Sequence, residues 1–196
     1  MITTYCFKKG QYDPQRFSYV YSPICKEFAT FRQEEACIVN AEGKSTFGYE
    51  YISILEKESR QGKVSVETEC AFEKFGAPII VFTDDLQADE NGHYVYGKHF
   101  EVVAYEEGIN IWHIVPCPEK VEYPVDPTLL ATKKFAIDAN SLIQMKVTIE
   151  GDCIKAWVNG EYLEAVVDDL PKDAFRVGIT ACEGINRFYS LTVEND

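Results

Sequence analysis

The sequence predicts an all-β fold of antiparallel strands. Of its 196 residues, 46% are hydrophobic and 13% aromatic, and the aromatic residues alternate with Val, Ile and Thr, which fit a pleated, half-buried surface. Turn signals built from Gly, Asn and Asp separate these runs about every eight to twelve residues, as in sandwiches and barrels. A chain of this length fills one core and is short for two. Residues 1–196 are therefore expected to form a single domain.

Charge and the N-terminus limit the classes of partner. The formal net charge of −13 repels phosphate backbones and anionic lipid headgroups, whose binding requires clustered Lys and Arg. We therefore expect neither a nucleic-acid nor a membrane partner. The N-terminal MITTYCFKKGQYDPQ lacks a basic region followed by an apolar one, and no stretch has the length of a spanning helix. The chain is expected to be soluble and cytoplasmic.

The cysteines predict a reduced protein without a metal centre. They are seven in number, scattered, and never paired as C-x-x-C, which does not fit a zinc site. Free cysteine packs as a small hydrophobic residue, so these residues are expected in the core of a cytoplasmic protein. The seven are Cys6, Cys25, Cys37, Cys70, Cys117, Cys153 and Cys182.

The stretch QMKVTIEGDCIKAWVNGEYLEAVV predicts three strands joined by turns at Gly151-Asp152 and Asn159-Gly160, the second being a strong hairpin signal. The turns place Met145, Val147 and Ile149 opposite Val158, Ala156 and Ile154 on a core face that Leu163 and Ala165 continue. The other face carries two cross-strand rows. These rows are Lys146, Trp157, Tyr162 and Thr148, Lys155, Glu164. Trp157 is expected to stabilise this outer ladder, with a ligand platform as the alternative.

Upstream runs predict further strands. KVSVETECAFEKF alternates, with the face Val64, Val66, Thr68, Cys70 and Phe72, whereas GAPIIVFTDD is apolar on both faces and is expected in the middle of a sheet. STFGYEYISILEK predicts a strand, and KEFATFRQEEACI fits either a short helix or a strand.

The stretch TDDLQADENGHYVYG predicts an acidic loop. Asp84, Asp85 and Asp89, with Glu90 and Asn91, offer oxygen ligands for Ca²⁺, but their spacing is not that of an EF-hand. A solvated acidic loop without metal is the expected state, and Ca²⁺ is the alternative.

Four segments in order resemble the concanavalin A-like lectin/glucanase superfamily: GAPIIVFTDD, HFEVVAYEEGINIW, IQMKVTIEGDCIKAWVNGEYL and FRVGITACEGINRFYSLTVE. The resemblance covers residues 60–195 and rests on strand pattern. It implies an antiparallel jelly-roll β-sandwich of two curved sheets, with saccharide held on the concave face of one. This fold hosts lectins, hydrolases, lyases and interaction domains, so it does not by itself assign a function.

Residues 99–115 predict a hairpin that could form such a site. A turn at Glu107-Gly108 pairs Tyr105 with Asn110 and Val103 with Trp112. One face then gathers a set of aromatic and polar candidates for ligand binding. These are His99, Glu101, Tyr105, Asn110 and Trp112.

The chemistry of these residue types fits a sugar. An aromatic ring stacks on the apolar face of a pyranose, and carboxylate or amide groups bond to its hydroxyls. Two alternatives stay open: Trp112 could lie buried under a loop, or a one-residue bulge could turn His113 toward the groove instead.

Glu101 is the candidate for catalysis. Glucanases of the superfamily carry E-x-D-x-x-E, and here Glu101 and Glu106 keep the outer spacing, while Val103 replaces the aspartate. That aspartate helps to separate the two pKa values, so its loss argues against the same mechanism. A cross-strand partner for Glu101 is the alternative. The candidates are Glu50, Glu67 and Glu69.

The tetrapeptide EGIN occurs twice, at 107–110 and 183–186. The second copy predicts a hairpin closed at Glu183-Gly184 that places Ala181 opposite Asn186. Both copies are therefore interpreted as turns closed alike, without a shared site.

Three functions remain from the sequence. The first is non-catalytic carbohydrate binding on the face of Trp112. The second is a glycoside hydrolase or lyase that uses Glu101. The third is a protein-interaction or self-association module, which would make the chain a homo-oligomer through the same outward aromatic residues.

Overall fold

The computed structural model describes residues 1–21, 29–41, 50–88, 93–120 and 124–196, and in these ranges it confirms the all-β prediction. Within these described ranges, one 3₁₀ turn, Pro14–Arg16, accompanies fifteen strands. In chain order, β1 to β15 are Ile2–Cys6, Phe17–Tyr21, Arg32–Gln33, Ile38–Val39, Ile52–Glu56, Val64–Thr83, Leu86–Ala88, Tyr94–Tyr96, His99–Tyr105, Gly108–Pro116, Val125–Lys134, Ile143–Glu150, Cys153–Val158, Glu161–Val166 and Arg176–Asn195.

The strands form two sheets that share β6 and β15. Sheet A has the order β14-β13-β12-β6-β15-β1 and uses the first half of β6 with the second half of β15. Sheet B has the order β11-β10-β9-β6-β15-β5-β2-β8-β7. It uses the second half of β6 with the first half of β15. The described pairings are antiparallel except β2 with β8, which is parallel. The result is a jelly-roll β-sandwich.

The core lies between the two sheets. Cys70 and Val147 of sheet A belong to the same buried cluster as Phe82 and Phe100 of sheet B, whose rings stack at 5.1 Å between centroids. A fully buried side chain of this size contributes about 1.5–3 kcal/mol relative to an exposed one. Packing between the sheets therefore fixes which face of each strand is turned outward.

The three strands of residues 143–166 have the predicted register. Met145 pairs with Val158, and Trp157 pairs with both Lys146 and Tyr162. Asn159 and Gly160 both have positive φ, 51° and 89°, as a two-residue hairpin turn requires. On the outer face, the Trp157 and Tyr162 rings lie 5.1 Å apart.

Two long strands, β6 and β15, continue through positions where the sequence predicted a break between strands. KVSVETECAFEKF and GAPIIVFTDD belong to one strand, β6, and the hairpin predicted at Glu183-Gly184 is wrong. Glu183 and Gly184 have φ of 52° and 69°, but β15 continues past them beside β6 with shifts in register. Such a pair with positive φ can make a turn or a bulge. A bulge forms here because β6 supplies a partner strand on both sides of it.

Two asparagines hold this bulge. The Asn40 side chain donates to the carbonyls of Gly184 and Glu50, each at 2.9 Å, and its Oδ1 accepts from the backbone N–H of Asn186 at 2.7 Å. The Asn186 amide donates to the carbonyls of Cys182 and Glu183, both at 3.1 Å. Both asparagines are fully buried, so these bonds satisfy backbone groups that water cannot reach.

Asn40→Ala should lower the free energy of unfolding by about 2–4 kcal/mol, because it leaves the N–H of Asn186 and the carbonyl of Gly184 buried without this partner. Urea denaturation measures the change. Asn195→Ala is the matched control, since the Asn195 amide bonds to exposed carbonyls, and it should cost about 1 kcal/mol or less. Equal losses in the two variants would contradict the role given to Asn40.

The predicted acidic loop contains a hairpin of β7 and β8. The Asp85 carboxylate accepts from the backbone N–H of Lys98 at 2.9 Å. Asp89, Glu90 and Asn91 lie outside the described residues, and in the described ranges no three His, Cys, Asp or Glu side chains are grouped to hold a metal ion. No helix in those ranges is long and apolar enough to cross a bilayer.

The remaining segments contain strands where they are described. KEFATFRQEEACI contains Arg32–Gln33 and the start of Ile38–Val39, and STFGYEYISILEK contains Ile52–Glu56. Residues 26–28 and 45–49 of these segments lie outside the described ranges. None of the six described cysteines is in a disulfide bond. Of these, Cys37 and Cys70 are buried as predicted and Cys6 is exposed, while Cys25 lies outside the described residues.

Candidate functional site

The outward face of sheet B carries a groove of about 370 Å³, and four of the predicted site residues line it. Its floor is aliphatic and comes from β6 and β9, with Ile79 and Val103 at the centre. The polar and aromatic lining residues are Glu101, Tyr105, Asn110, Trp112, Cys182 and Glu183. The sequence therefore predicted which face of the hairpin forms the groove, although not all of its members.

The hairpin that carries these residues differs from its predicted register by two residues. Its turn is Glu106 and Glu107, so that Trp112 pairs with Glu101 and Asn110 with Val103. The faces stay as predicted because a shift of two residues preserves the alternation of side chains.

His113 lies on the inner face, so the alternative in which it enters the groove is wrong. No register shift separates β9 from β10, and the bulge at Ile111/Trp112 lies on the side of β11. The His113 ring stacks on Phe100 at 4.5 Å between centroids. Burial lowers the pKa of His113, which favours a neutral ring in this apolar setting.

Trp112 and Tyr105 supply the aromatic surface. Trp112 is half-buried and lines the open groove, so it does not lie sealed under a loop. The Nζ of Lys134 lies 5.1 Å from the centroid of the Tyr105 ring and 2.9 Å from a carboxylate oxygen of Glu107. Asn110 is held by Thr132, whose hydroxyl donates to its Oδ1 at 2.7 Å.

Glu101 presents a buried carboxylate to the groove. The residue is only 8% exposed, and within the described part of the chain its carboxylate accepts no hydrogen bond. Nε2 of His99 lies 3.5 Å from its Oε1. This arrangement therefore leaves Glu101 able to accept bonds from a ligand.

His99 lies behind Glu101, buried beside the groove. Its ring stacks on Tyr96 at 4.3 Å, and its Nδ1 lies 3.0 Å from the carbonyl oxygen of Gly97. A carbonyl oxygen only accepts, so Nδ1 carries a proton. Nε2 then faces the Glu101 carboxylate at 3.5 Å. His99 positions Glu101 and does not itself line the groove.

Buried hydroxyl groups lie on the same face, and sequence reasoning did not identify them. The Ser53 hydroxyl lies 2.5 Å from that of Tyr96 and 2.7 Å from that of Thr180. Burial raises the pKa of Tyr51 and of Tyr96, and the nearby charge of Glu101 raises both further. Both phenols therefore stay neutral and can donate hydrogen bonds at neutral pH.

Glu183 is the second carboxylate in the groove, after Glu101, and sequence reasoning did not identify it. Burial raises its pKa, and the charge of Glu106 raises it further. Because Glu183 belongs to the second EGIN and Asn110 to the first, residues of both copies line one groove, although the second copy forms a bulge and not the predicted hairpin. Glu183 has positive φ, a conformation in which glycine or asparagine is favoured.

None of the three carboxylates predicted as partners for Glu101 lines the groove. Glu67 and Glu69 line a depression on the outer face of sheet A, where Glu67 pairs with Lys146 at 2.6 Å. Glu50 accepts a hydrogen bond from the backbone N–H of Ala41 at 3.1 Å. Glu67 and Glu69 lie on sheet A, whereas Glu101 lies on sheet B, because the two halves of β6 belong to different sheets.

Strand register separates Glu101 from Glu183. Glu101 pairs with Val81, which pairs with Gly178 on β15. Glu183 follows Gly178 by five residues, so at about 3.3 Å per residue and about 4.8 Å per strand the two Cα atoms lie roughly 15–20 Å apart. The two glutamates therefore lie at opposite ends of the groove.

Several solved structures resemble this chain in fold. A structure reported with endo-acting O-glycanases of the human gut microbiota is 11% identical, with a TM-score of 0.65 and 97% of each chain covered. The carbohydrate-binding module CBM66 from Bacillus subtilis is 14% identical, with a TM-score of 0.55 over 90% of this chain and 99% of that one. The alginate lyase A1-II' is 13% identical, with a TM-score of 0.51 over 86% and 85%.

No protein-family model and no curated protein sequence matches the chain. The structural likenesses confirm the predicted resemblance to the concanavalin A-like jelly rolls. At such identities they show the fold alone.

Proposed function

We propose that this protein binds saccharides without cleaving them, in the groove of sheet B. The observation that carries the proposal is Glu101, a buried carboxylate that opens onto the groove beside Trp112 and accepts no hydrogen bond from the described residues. The names of the structural neighbours, a carbohydrate-binding module, an alginate lyase and O-glycanases, support the same ligand class.

The groove offers the two kinds of contact that a sugar needs. Trp112 and Tyr105 provide rings that can cover the apolar face of a pyranose. Glu101 and Asn110 provide polar groups that can bond to its hydroxyls. The aliphatic floor of Ile79 excludes water from these bonds, which strengthens them.

Spacing favours binding over hydrolysis. A retaining or inverting glycosidase needs two carboxyl groups that flank one glycosidic bond, and strand register places the Cα atoms of Glu101 and Glu183 roughly 15–20 Å apart, which disfavours such a pair. Glu106 lies in the turn and is exposed. Glu101 therefore acts as a hydrogen-bond acceptor in this proposal, with His99 holding its position.

A glycan array followed by calorimetry on the oligosaccharide retained best tests the proposal. We expect saturable binding and no new reducing ends after prolonged incubation. Glu101→Gln should weaken binding at least about tenfold, because an amide replaces one acceptor oxygen with a donor. Glu69→Gln, the same change on sheet A, should leave affinity unchanged.

Release of reducing ends that is lost in Glu101→Gln would show a hydrolase instead. An array without any bound glycan, together with a dimer whose population rises with concentration, would indicate a self-association module. Either result overturns the proposal.

A further inference from the structure

The groove runs diagonally across sheet B. Its lining residues begin at Pro127 and Ile114, which pair with each other on β11 and β10, and end at Cys182 and Glu183 on β15. Between these ends the groove crosses β9 and β6, and on each successive strand the lining residues lie further toward the β9–β10 turn. The groove is therefore elongated, a shape that fits a linear chain of sugars.

Phe75 continues this line beyond the groove. It precedes Ala77, a lining residue, by two positions on β6, so both side chains point to the outer face of the sheet. A β-carbon built at Gly184 would lie 3.2 Å from Cδ2 of Phe75, which places the ring beside the residue that follows Glu183. The Phe75 side chain is 49% exposed. An uncovered aromatic ring therefore lies just past the Glu183 end of the groove.

Strand register separates the rings of Trp112 and Phe75. Trp112 pairs with Glu101, which pairs with Val81 on β6. Phe75 precedes Val81 by six residues, so at about 3.3 Å per residue and about 4.8 Å per strand its Cα atom lies roughly 20–25 Å from that of Trp112. The aliphatic floor, with Ile79, lies between them. Because one sugar ring covers one aromatic side chain, a ligand that covers both must contain several linked sugars.

Building on the proposed saccharide site, we propose that Phe75 is a distal aromatic subsite and that the ligand class is linear oligosaccharides long enough to reach it from Trp112. At the Trp112 end, Glu101 and Asn110 add polar contacts to the stacking. At the distal end, stacking on Phe75 holds the chain, and the intervening sugars lie over the aliphatic floor. A disaccharide reaches the Trp112 end alone, so affinity rises with chain length.

A glycan array with linear glucan, xylan, mannan and N-acetylglucosamine oligomers, each of two and of six units, tests this proposal. In a series that is retained, we expect the hexasaccharide to bind at least about tenfold more tightly than the disaccharide when both are measured by calorimetry. Phe75→Ala should weaken the hexasaccharide about five- to tenfold and change the disaccharide by less than about twofold, because one stacking contact is lost at the distal end.

Two control variants separate the ring of Phe75 from a general effect of substitution. Phe75→Tyr keeps the ring and should keep the affinity for the hexasaccharide. Tyr162→Ala removes a ring that is 38% exposed on the outer face of sheet A and should leave both affinities unchanged. Circular dichroism checks that each variant is folded. If Phe75→Ala binds the hexasaccharide as tightly as the wild type, Phe75 is not a subsite and the proposal is wrong.

The failure of this proposal differs from that of saccharide binding itself. Equal affinities for the disaccharide and the hexasaccharide, or retention of branched glycans alone, overturn the distal subsite and leave saccharide binding in place. Equal losses for both lengths in Phe75→Ala also overturn it, because they would place Phe75 in the same subsite as Trp112. An array on which no glycan is bound overturns both proposals.

Discussion

Arg60→Ala should lower the free energy of unfolding by about 3–5 kcal/mol, the range found when one partner of a buried ion pair is removed. Arg60 donates two hydrogen bonds to Glu56, at 2.9 and 2.6 Å, and the two side chains are only 4% and 0% exposed. The Tyr5 hydroxyl also donates to Glu56 at 2.6 Å. The variant leaves a carboxylate buried without its cation, because one phenol cannot neutralise its charge.

Chemical denaturation monitored by circular dichroism measures this loss. Lys9→Ala is the control, since Lys9 and Glu35 are 3.7 Å apart with side chains 66% and 81% exposed, and such pairs contribute about 0–1 kcal/mol. The double variant Glu56→Gln/Arg60→Met should recover part of the loss. A loss in Arg60→Ala no larger than in Lys9→Ala would show that the ion pair does not stabilise the fold.

Trp112→Ala should weaken saccharide binding at least about thirtyfold, or about 2 kcal/mol. The reason is that Trp112 is the larger of the two rings in the groove and pairs directly with Glu101. Since its side chain is only half-buried, the fold should be retained. Calorimetry with the oligosaccharide identified on the array measures the affinity, and circular dichroism checks the fold.

Trp157→Ala is the matched control for this variant. Trp157 lies on the outer face of sheet A beside Tyr162, where its loss should cost about 0.5–1.5 kcal/mol of stability for the aromatic pair. Its saccharide affinity should match that of the wild type. If Trp157→Ala lost affinity and Trp112→Ala did not, the binding surface would lie on sheet A.

Local signals in the sequence were sufficient for part of the fold. The Asn159-Gly160 turn accepts positive φ at both residues, which fixes the register of the flanking strands and hence the face of every side chain on them. The hairpin of β9 and β10 was less well determined. Its turn contains no such pair, so the predicted register was wrong by two residues, although the groove face was correct.

Pairings between distant parts of the chain could not be predicted. Whether Glu183-Gly184 makes a turn or a bulge depends on β6, more than a hundred residues earlier, and on Asn40. Glu183 lies at that bulge and lines the groove. The hydroxyl groups of Ser53 and Thr180 meet for the same reason, because β5 and β15 are neighbours in the sheet but not in the sequence. No local pattern contains this information.

Tryptophan fluorescence in single-tryptophan variants tests groove binding most directly, because the chain has two tryptophans. In Trp157→Phe, the remaining Trp112 should change its emission saturably as the oligosaccharide is added, with the dissociation constant found by calorimetry. In Trp112→Phe, the emission of Trp157 should stay constant. A saturable change from Trp157, with none from Trp112, would contradict saccharide binding in the groove of sheet B.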